Sequence, residues 1–162
     1  MAILRDLVDI LHRHGIEKLL ILNGHGGNNF KNMIREMSHA FPEVFITWVN
    51  WYQVVDWLQY FEDPGDHAGE METSAIMHLR PDLVRPIHEA GDGNARQIRL
   101  SGFLEGWATS QRQWSKVTAD TGVGDPKAAS AEKGAKYLND VIVKLSAFLV
   151  ELSQTPNDDL YS

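Results

Sequence analysis

Two polar segments of the sequence carry the side chains that could do chemistry. The first runs from Asn23 to Asn29 with the sequence NGHGGNN, and it places His25 among three glycines. The second runs from Asp66 to Ser74 with the sequence DHAGEMETS, and it holds three carboxylates and one imidazole. Carboxylate oxygens and imidazole nitrogens bind divalent metals, and an imidazole can also transfer protons near neutral pH. These segments therefore predict a metal site, a proton-transfer site or both.

The glycine-rich segment allows several interpretations. Glycines at positions 24, 26 and 27 predict a backbone with positive φ that leaves the His25 imidazole accessible to a metal. The same glycines also fit a phosphate-binding turn or a simple tight connection. A dinucleotide site is disfavoured, because the glycine spacing departs from G-x-G-x-x-G and the next predicted strand ends in Asn50 rather than an acid. Nucleotide binding by this loop stays open as an alternative.

The acidic segment also has a structural interpretation. Asp66, Glu70 and Glu72 lie at the start of a predicted helix, where carboxylates interact favourably with the helix dipole. They could therefore be plain capping acids. However, we expect both segments in loops at the carboxyl edge of the predicted sheet, where α/β proteins bind ligands. This placement favours the functional interpretation.

Composition bounds the class of protein. The 162 residues are 43% hydrophobic and 23% charged, which predicts one globular domain, residues 1–152, followed by a polar, frayed tail, residues 153–162. No apolar run approaches the length of a membrane span, and a net charge of −7 disfavours a nucleic-acid partner. Because the sequence has no cysteine, any metal must be held by His, Asp or Glu. Charged residues among the first fourteen predict no secretory signal, so we expect a cytoplasmic protein.

Hydrophobic periodicity predicts the elements that position these segments. The predicted order is a helix over 2–14, a strand over 18–22, a helix from Phe30 that stops at Pro42, and a strand over 44–49. A strand, helix and strand at this spacing form a βαβ unit with parallel strands. The sequence therefore predicts an α/β fold in which the glycine-rich segment follows the first strand of the unit.

The later elements are predicted less regularly. We expect helices over 51–60 and 73–79, an edge strand over 83–87, an irregular binding or interface arm over 88–123, and a long helix that starts at Asp125-Pro126.

Three sequence blocks resemble the creatininase family of metal-dependent amide hydrolases. They are LILNGHGGN at 20–28, HAGEMETS at 67–74 and TGVGDP at 121–126, in the order found in the family. The resemblance implies a three-layer α/β/α sandwich with a mostly parallel sheet and two divalent ions per site, zinc, manganese or iron. It also implies a small-molecule substrate and a homo-oligomer.

The resemblance also implies roles for single residues. His25 matches a metal-ligating histidine, and Glu72 matches an acid that serves as a further metal ligand or supports one. His67 matches a histidine that transfers a proton to the substrate, with Asp66 as the neighbouring catalytic acid. Glu70 receives no firm role.

The sequence departs from the family in two places. Creatininase proper carries an aromatic residue and a metal-binding glutamate where this chain has Gly26 and Gly27. The chain therefore looks more like the NGHGGN branch of the family. That branch includes deformylases of formamidopyrimidine intermediates, mycofactocin-maturing peptidases and hydrolases of cyclic sugar-derived compounds. This departure argues against creatinine as the substrate. Nothing before His25 matches the family's glutamate, histidine and bridging aspartate, so we expect the N-terminal strands of the fold to be absent from this sequence.

The expected function follows from these resemblances and departures. We expect a metal-dependent amidohydrolase that acts on a small cyclic amide, a formamide or a related substrate. With an incomplete metal site, the chain alone should bind metal weakly and show little activity. The alternative is a non-catalytic scaffold or assembly subunit with the same fold.

Overall fold

The predicted βαβ unit is present in the structure, a computed structural model that describes residues 2–161. Strand β1, Lys18–Asn23, pairs in parallel with β2, Phe45–Asn50, and Asn23 lies opposite Asn50 in the register. The helix between them spans Lys31–Ala40 and ends just before Phe41-Pro42, because proline cannot continue a helix. The predicted α/β class with a parallel sheet is thus confirmed.

The described residues form six α-helices. In chain order they are α1 (Ala2–Arg13), α2 (Lys31–Ala40), α3 (Glu70–Leu79), α4 (Ser101–Leu104), α5 (Trp114–Val117) and α6 (Ala131–Gln154). Gly15 has a φ of +69° just after α1, as expected for the residue that ends a helix.

Contacts divide the chain into two compact units, one comprising Met1–Val55 with Val141–Ser162 and the other Asp56–Asp140. In the first unit, α1, α2 and β2 bury a core of Val8, Met37, Val44 and Ile46. In the second, Tyr137 is fully buried and its ring packs edge-on against those of Tyr60 and Phe61. The single domain predicted over residues 1–152 stays a prediction.

Strand β1 is less buried than a parallel strand covered on both faces would be. Four of its residues are half-buried and Leu22 is exposed. Within residues 2–161, β1 has one hydrogen-bonded neighbour, β2, so its other edge has no strand to cover it.

Three predicted elements are wrong. Residues 51–60 form two short 3₁₀ turns, Trp51–Gln53 and Trp57–Gln59, instead of one helix, because Asp56 caps the second turn through the N–H of Leu58. Residues 83–87 form no strand; 3₁₀ turns at Pro81–Leu83 and Ile87–Glu89 flank them, since the prolines in this stretch cannot donate to a ladder.

The start of the last helix is also displaced. Asp125 accepts the N–H of Lys127 and caps a 3₁₀ turn, Pro126–Ala128, and α6 starts only at Ala131. The Lys127 N–H and ammonium groups lower the pKa of the Asp125 carboxyl below its ordinary value.

The polar tail is not frayed as expected. Helix α6 continues to Gln154, and the Lys18 ammonium donates to the carbonyl oxygens of Leu152, at 2.7 Å, and Thr155. Asn157 donates to the Glu17 carbonyl at 3.5 Å. These bonds tie the last turn of the chain to the start of β1.

In the described part of the chain, no helix has the length and apolar character needed to cross a membrane.

Candidate functional site

The His25 loop is held by the buried amide of Asn23, the last residue of β1. Asn23 is 2% exposed; its Oδ1 accepts the His25 backbone N–H at 3.3 Å and the Asn28 amide at 3.0 Å. Its Nδ2 donates to the His25 carbonyl oxygen at 2.9 Å. The Asn23 side chain therefore hydrogen-bonds both ends of the loop, while the His25 side chain is exposed.

A second asparagine supports the first from β2. The Asn23 amide donates to Asn50 Oδ1 at 2.7 Å, and the Trp48 indole N–H donates to the same oxygen at 2.7 Å. From the sequence, Asn50 served only as evidence against a dinucleotide site. The signal for this pair was its position, because matched residues at the carboxyl ends of adjacent parallel strands lie side by side.

The glycines of this loop serve a different purpose from the one predicted. None of Gly24, Gly26 and Gly27 has a positive φ, so the expectation of left-handed backbone here is wrong. A Cβ on Gly27 would instead lie 2.8 Å from Nε2 of His25, too close for a real contact. Gly27 is therefore the residue that leaves room for the imidazole ring.

In the second unit, Asp66 and His67 lie on a turn that is bonded to Val123. The backbone N–H groups of Asp66 and His67 both donate to the Val123 carbonyl, at 2.8 and 3.0 Å, and Val123 N–H donates back to the His67 carbonyl at 2.8 Å. Gly124, with a φ of +115°, packs beneath this turn; a Cβ there would lie 2.4 Å from the Cα of Gly65. The close backbone approach explains why a glycine follows Val123.

The residue after His67 has an unusual conformation. Ala68 has a φ of +53°, which is rare for a residue with a Cβ and often accompanies functional sites. Its N–H donates to Oε2 of Glu72 at 2.7 Å, and its carbonyl accepts the Thr73 hydroxyl at 3.1 Å. The same Glu72 oxygen lies 3.9 Å from Nδ1 of His67. Glu72 therefore both stabilises the turn and lies beside the imidazole.

Two residues missed by sequence reasoning border this pair. Arg112 forms an ion pair with the Asp66 carboxylate, and its guanidinium lies 4.8 Å from the ring centre of Trp114. The Trp114 ring is in turn 4.8 Å from that of His67. Both residues come from the segment predicted as an irregular arm, where no motif distinguished them from their neighbours.

Glu70 has a structural role. It is 1% exposed, forms an ion pair with Lys133, and accepts the backbone N–H groups of Glu62 and Asp63 at 2.9 and 3.2 Å. These partners lie in the preceding loop and in α6 rather than in the first turn of α3, so the capping interpretation of Glu70 stays a prediction. Glu72 accepts the Ala68 N–H and also lies beside His67.

Between Ala2 and Tyr161, no group of three or more His, Asp or Glu side chains is arranged to hold a metal ion. A catalytic zinc site needs about three protein ligands, and neither the His25 loop nor the Asp66–His67 turn assembles three. The residues described here do not by themselves fit a complete metal cage.

The chain is similar to proteins of one known family. A protein-family model described as creatininase, creatinine amidohydrolase, matches residues 1–149. A solved structure from Bacteroides fragilis named "Putative creatinine amidohydrolase" is 47% identical, with a TM-score of 0.89, over 99% of this chain and 62% of its own. No curated protein matches the chain.

Solved creatininases share the fold at lower identity. A mutant creatininase complexed with creatine is 22% identical with a TM-score of 0.70, over 96% of this chain and 64% of its own. A manganese creatininase is also 22% identical, with a TM-score of 0.69, over 91% of this chain and 62% of its own. The chain thus spans less than two thirds of the length of each of these structures. Because the family model covers residues 1–149 and the α/β fold agrees with it, this protein belongs to the creatininase family.

Proposed function

We propose that this protein acts as a metal-dependent amidohydrolase on the amide or formamide group of a small molecule. The observation that carries the proposal is the family match over residues 1–149. Solved relatives described as Zn-Zn and manganese creatininases indicate that the family uses divalent metals. Such ions polarise a carbonyl and activate water in amide hydrolysis.

In this proposal His25 and Glu72 are metal donors. Their support is the exposed imidazole above Gly27 and the Glu72 carboxylate beside His67. Because the described residues do not form a complete cage, the chain by itself binds metal weakly and turns over substrate slowly.

His67 is the proposed proton donor. Hydrolysis breaks the C–N bond, so the departing nitrogen must gain a proton, and an imidazole can supply one. The Glu72 carboxylate and the Trp114 ring lie beside the His67 side chain and restrict its orientation. The Asp66 carboxylate is the second proposed catalytic group, and its ion pair with Arg112 holds it in place.

The proposed substrate is a small cyclic amide, a formamide or a related compound rather than creatinine. Gly27 stands where creatininase proper has a metal-binding glutamate, and a side chain there would collide with the His25 ring as it lies here. We also propose a cytoplasmic homo-oligomer.

The second candidate function is a non-catalytic scaffold or assembly subunit of the same fold. The observation that favours it is the absence, in the residues whose positions the structure gives, of any cluster of three metal-binding side chains.

A manganese titration followed by NMR tests the metal donor. In protein labelled at histidine, paramagnetic Mn²⁺ should broaden the His25 ring signals at lower concentration than those of His12 on α1 and His39 on α2. Equal broadening of the three would overturn the assignment of His25.

A hydrolysis assay separates the two functions. Creatinine, a lactam, a cyclic imide and an N-formyl amine are each incubated with the protein and Mn²⁺ or Zn²⁺, and products are followed by NMR. We expect slow, metal-dependent hydrolysis of a cyclic amide or formamide that His67→Gln abolishes while the thermal midpoint is kept. No hydrolysis of any compound would favour the scaffold.

A further inference from the structure

An open cavity of about 810 Å³ lies in the second unit against the Asp66–His67 turn. Its wall comes mainly from residues 95–117, and Asp66 and Val123 close the side nearest His67. Ile98, Phe103 and Leu104 line the apolar part. This volume is in the range of small-molecule binding sites.

The charge of this cavity is opposite to that of the chain. The whole chain has 15 Lys and Arg against 22 Asp and Glu, yet the lining has three cations, Arg96, Arg112 and Lys116, and one acid, Asp66. Such a concentration of one sign raises the local concentration of ligands of the other sign.

The three cations are not equivalent. Arg112 is neutralised by Asp66 and lies on Trp114, so it is held in place. Arg96 and Lys116 form no ion pair with any residue from 2 to 161. The Arg96 N–H donates to the carbonyl of Val117, the residue after Lys116, at 2.8 Å, so the two free cations come from adjoining backbone. Both residues line the same cavity, so an anion bound there lies near two positive charges that no carboxylate pairs in the described residues.

We propose that this cavity binds an oxyanion, carboxylate or phosphate, carried by the substrate, with Arg96 and Lys116 as its cationic contacts. This inference rests on the proposed function, since it places the anionic arm beside the turn that holds His67. The apolar wall takes the carbon skeleton between the anion and the reacting amide. The substrate class is therefore an amide or formamide with an acidic substituent.

The test uses metal-free protein, so that it reports the cavity separately from catalysis. Succinate, inorganic phosphate and uncharged succinamide are titrated at constant ionic strength, and the five tryptophan indole N–H signals are followed by NMR. The Trp114 signal, assigned with Trp114→Phe, is the local reporter. We expect succinate or phosphate to shift it and succinamide to leave it unchanged; the anion with the lower Kd identifies the group.

Variants locate the binding. Arg96→Gln and Lys116→Gln should each weaken anion binding about two- to five-fold, and the double variant by about ten-fold, as exposed charge pairs do. Arg99→Gln is the matched control, because Arg99 is an exposed cation of the same segment outside the lining. Equal binding of succinamide, or an equal loss in Arg99→Gln, would overturn the proposal. Failed hydrolysis with intact anion binding would instead refute only the proposed catalytic function.

Discussion

Replacing Lys133 with methionine would leave the Glu70 carboxylate buried without its cation. Glu70 is 1% exposed, and among the described residues the N–H groups of Glu62 and Asp63, at 2.9 and 3.2 Å, would remain as its partners. Removing one partner of a buried ion pair costs about 3–5 kcal/mol. Because the Lys133 side chain is 33% exposed, water compensates in part, and we expect Lys133→Met to lower the free energy of unfolding by about 2–4 kcal/mol.

The assay is urea denaturation of matched variants. Lys127→Met removes a cation from an exposed pair, since Lys127 and Asp125 are 58% and 43% exposed, and its loss should lie within experimental error. The double variant Glu70→Gln/Lys133→Met should be more stable than Lys133→Met, because no charge is then left buried. A Lys133→Met variant as stable as Lys127→Met would refute the idea that the buried Glu70–Lys133 pair stabilises the fold.

Three further predictions concern single side chains. Burial raises the pKa of Tyr137 to about 12, so the unfolded chain loses this proton first. The free energy of unfolding should therefore fall by about 2 kcal/mol between pH 10 and 12, and Tyr137→Phe should flatten that part of the profile in urea denaturation. Gly134→Ala places a Cβ 2.0 Å from a carbonyl oxygen of α3 and should destabilise by about 1–3 kcal/mol in thermal melts, although alanine favours helix; an unchanged melt would contradict the close approach. Gly27→Ala should displace the His25 ring and shift its NMR signals, whereas Gly24→Ala, with open space around its Cβ, should leave them unchanged; identical spectra would be the contrary result.

The first strands and helices were predictable because local pattern determines them. Lys18 to Asn23 is a continuous apolar run ending in a polar residue, and the helix that follows stops before a proline. Residues 51–60 were mispredicted as a helix, because Val54, Val55 and Leu58 have helical spacing while a side-chain cap at Asp56 divides the segment into two turns.

The sequence motifs identified the candidate site residues, but they did not predict which distant residues these side chains contact. His25, His67 and Glu72 stand out by type and spacing, but Asp66 meets an arginine 46 residues away and Glu70 a lysine 63 residues away. No periodicity links such positions, and only the fold brings them together. The same holds for Gly27, whose purpose is visible only once the His25 ring is placed above it.

The central claim is that this creatininase-family chain supplies metal-binding side chains but not a complete set of metal ligands. Calorimetric titration of Zn²⁺ into the metal-free protein, with metal content measured after gel filtration, tests it most directly. We predict weak binding that His25→Ala abolishes, His12→Ala leaves intact, and gel filtration removes. Two tightly held ions per chain after gel filtration, or binding unaffected by His25→Ala, would contradict the account.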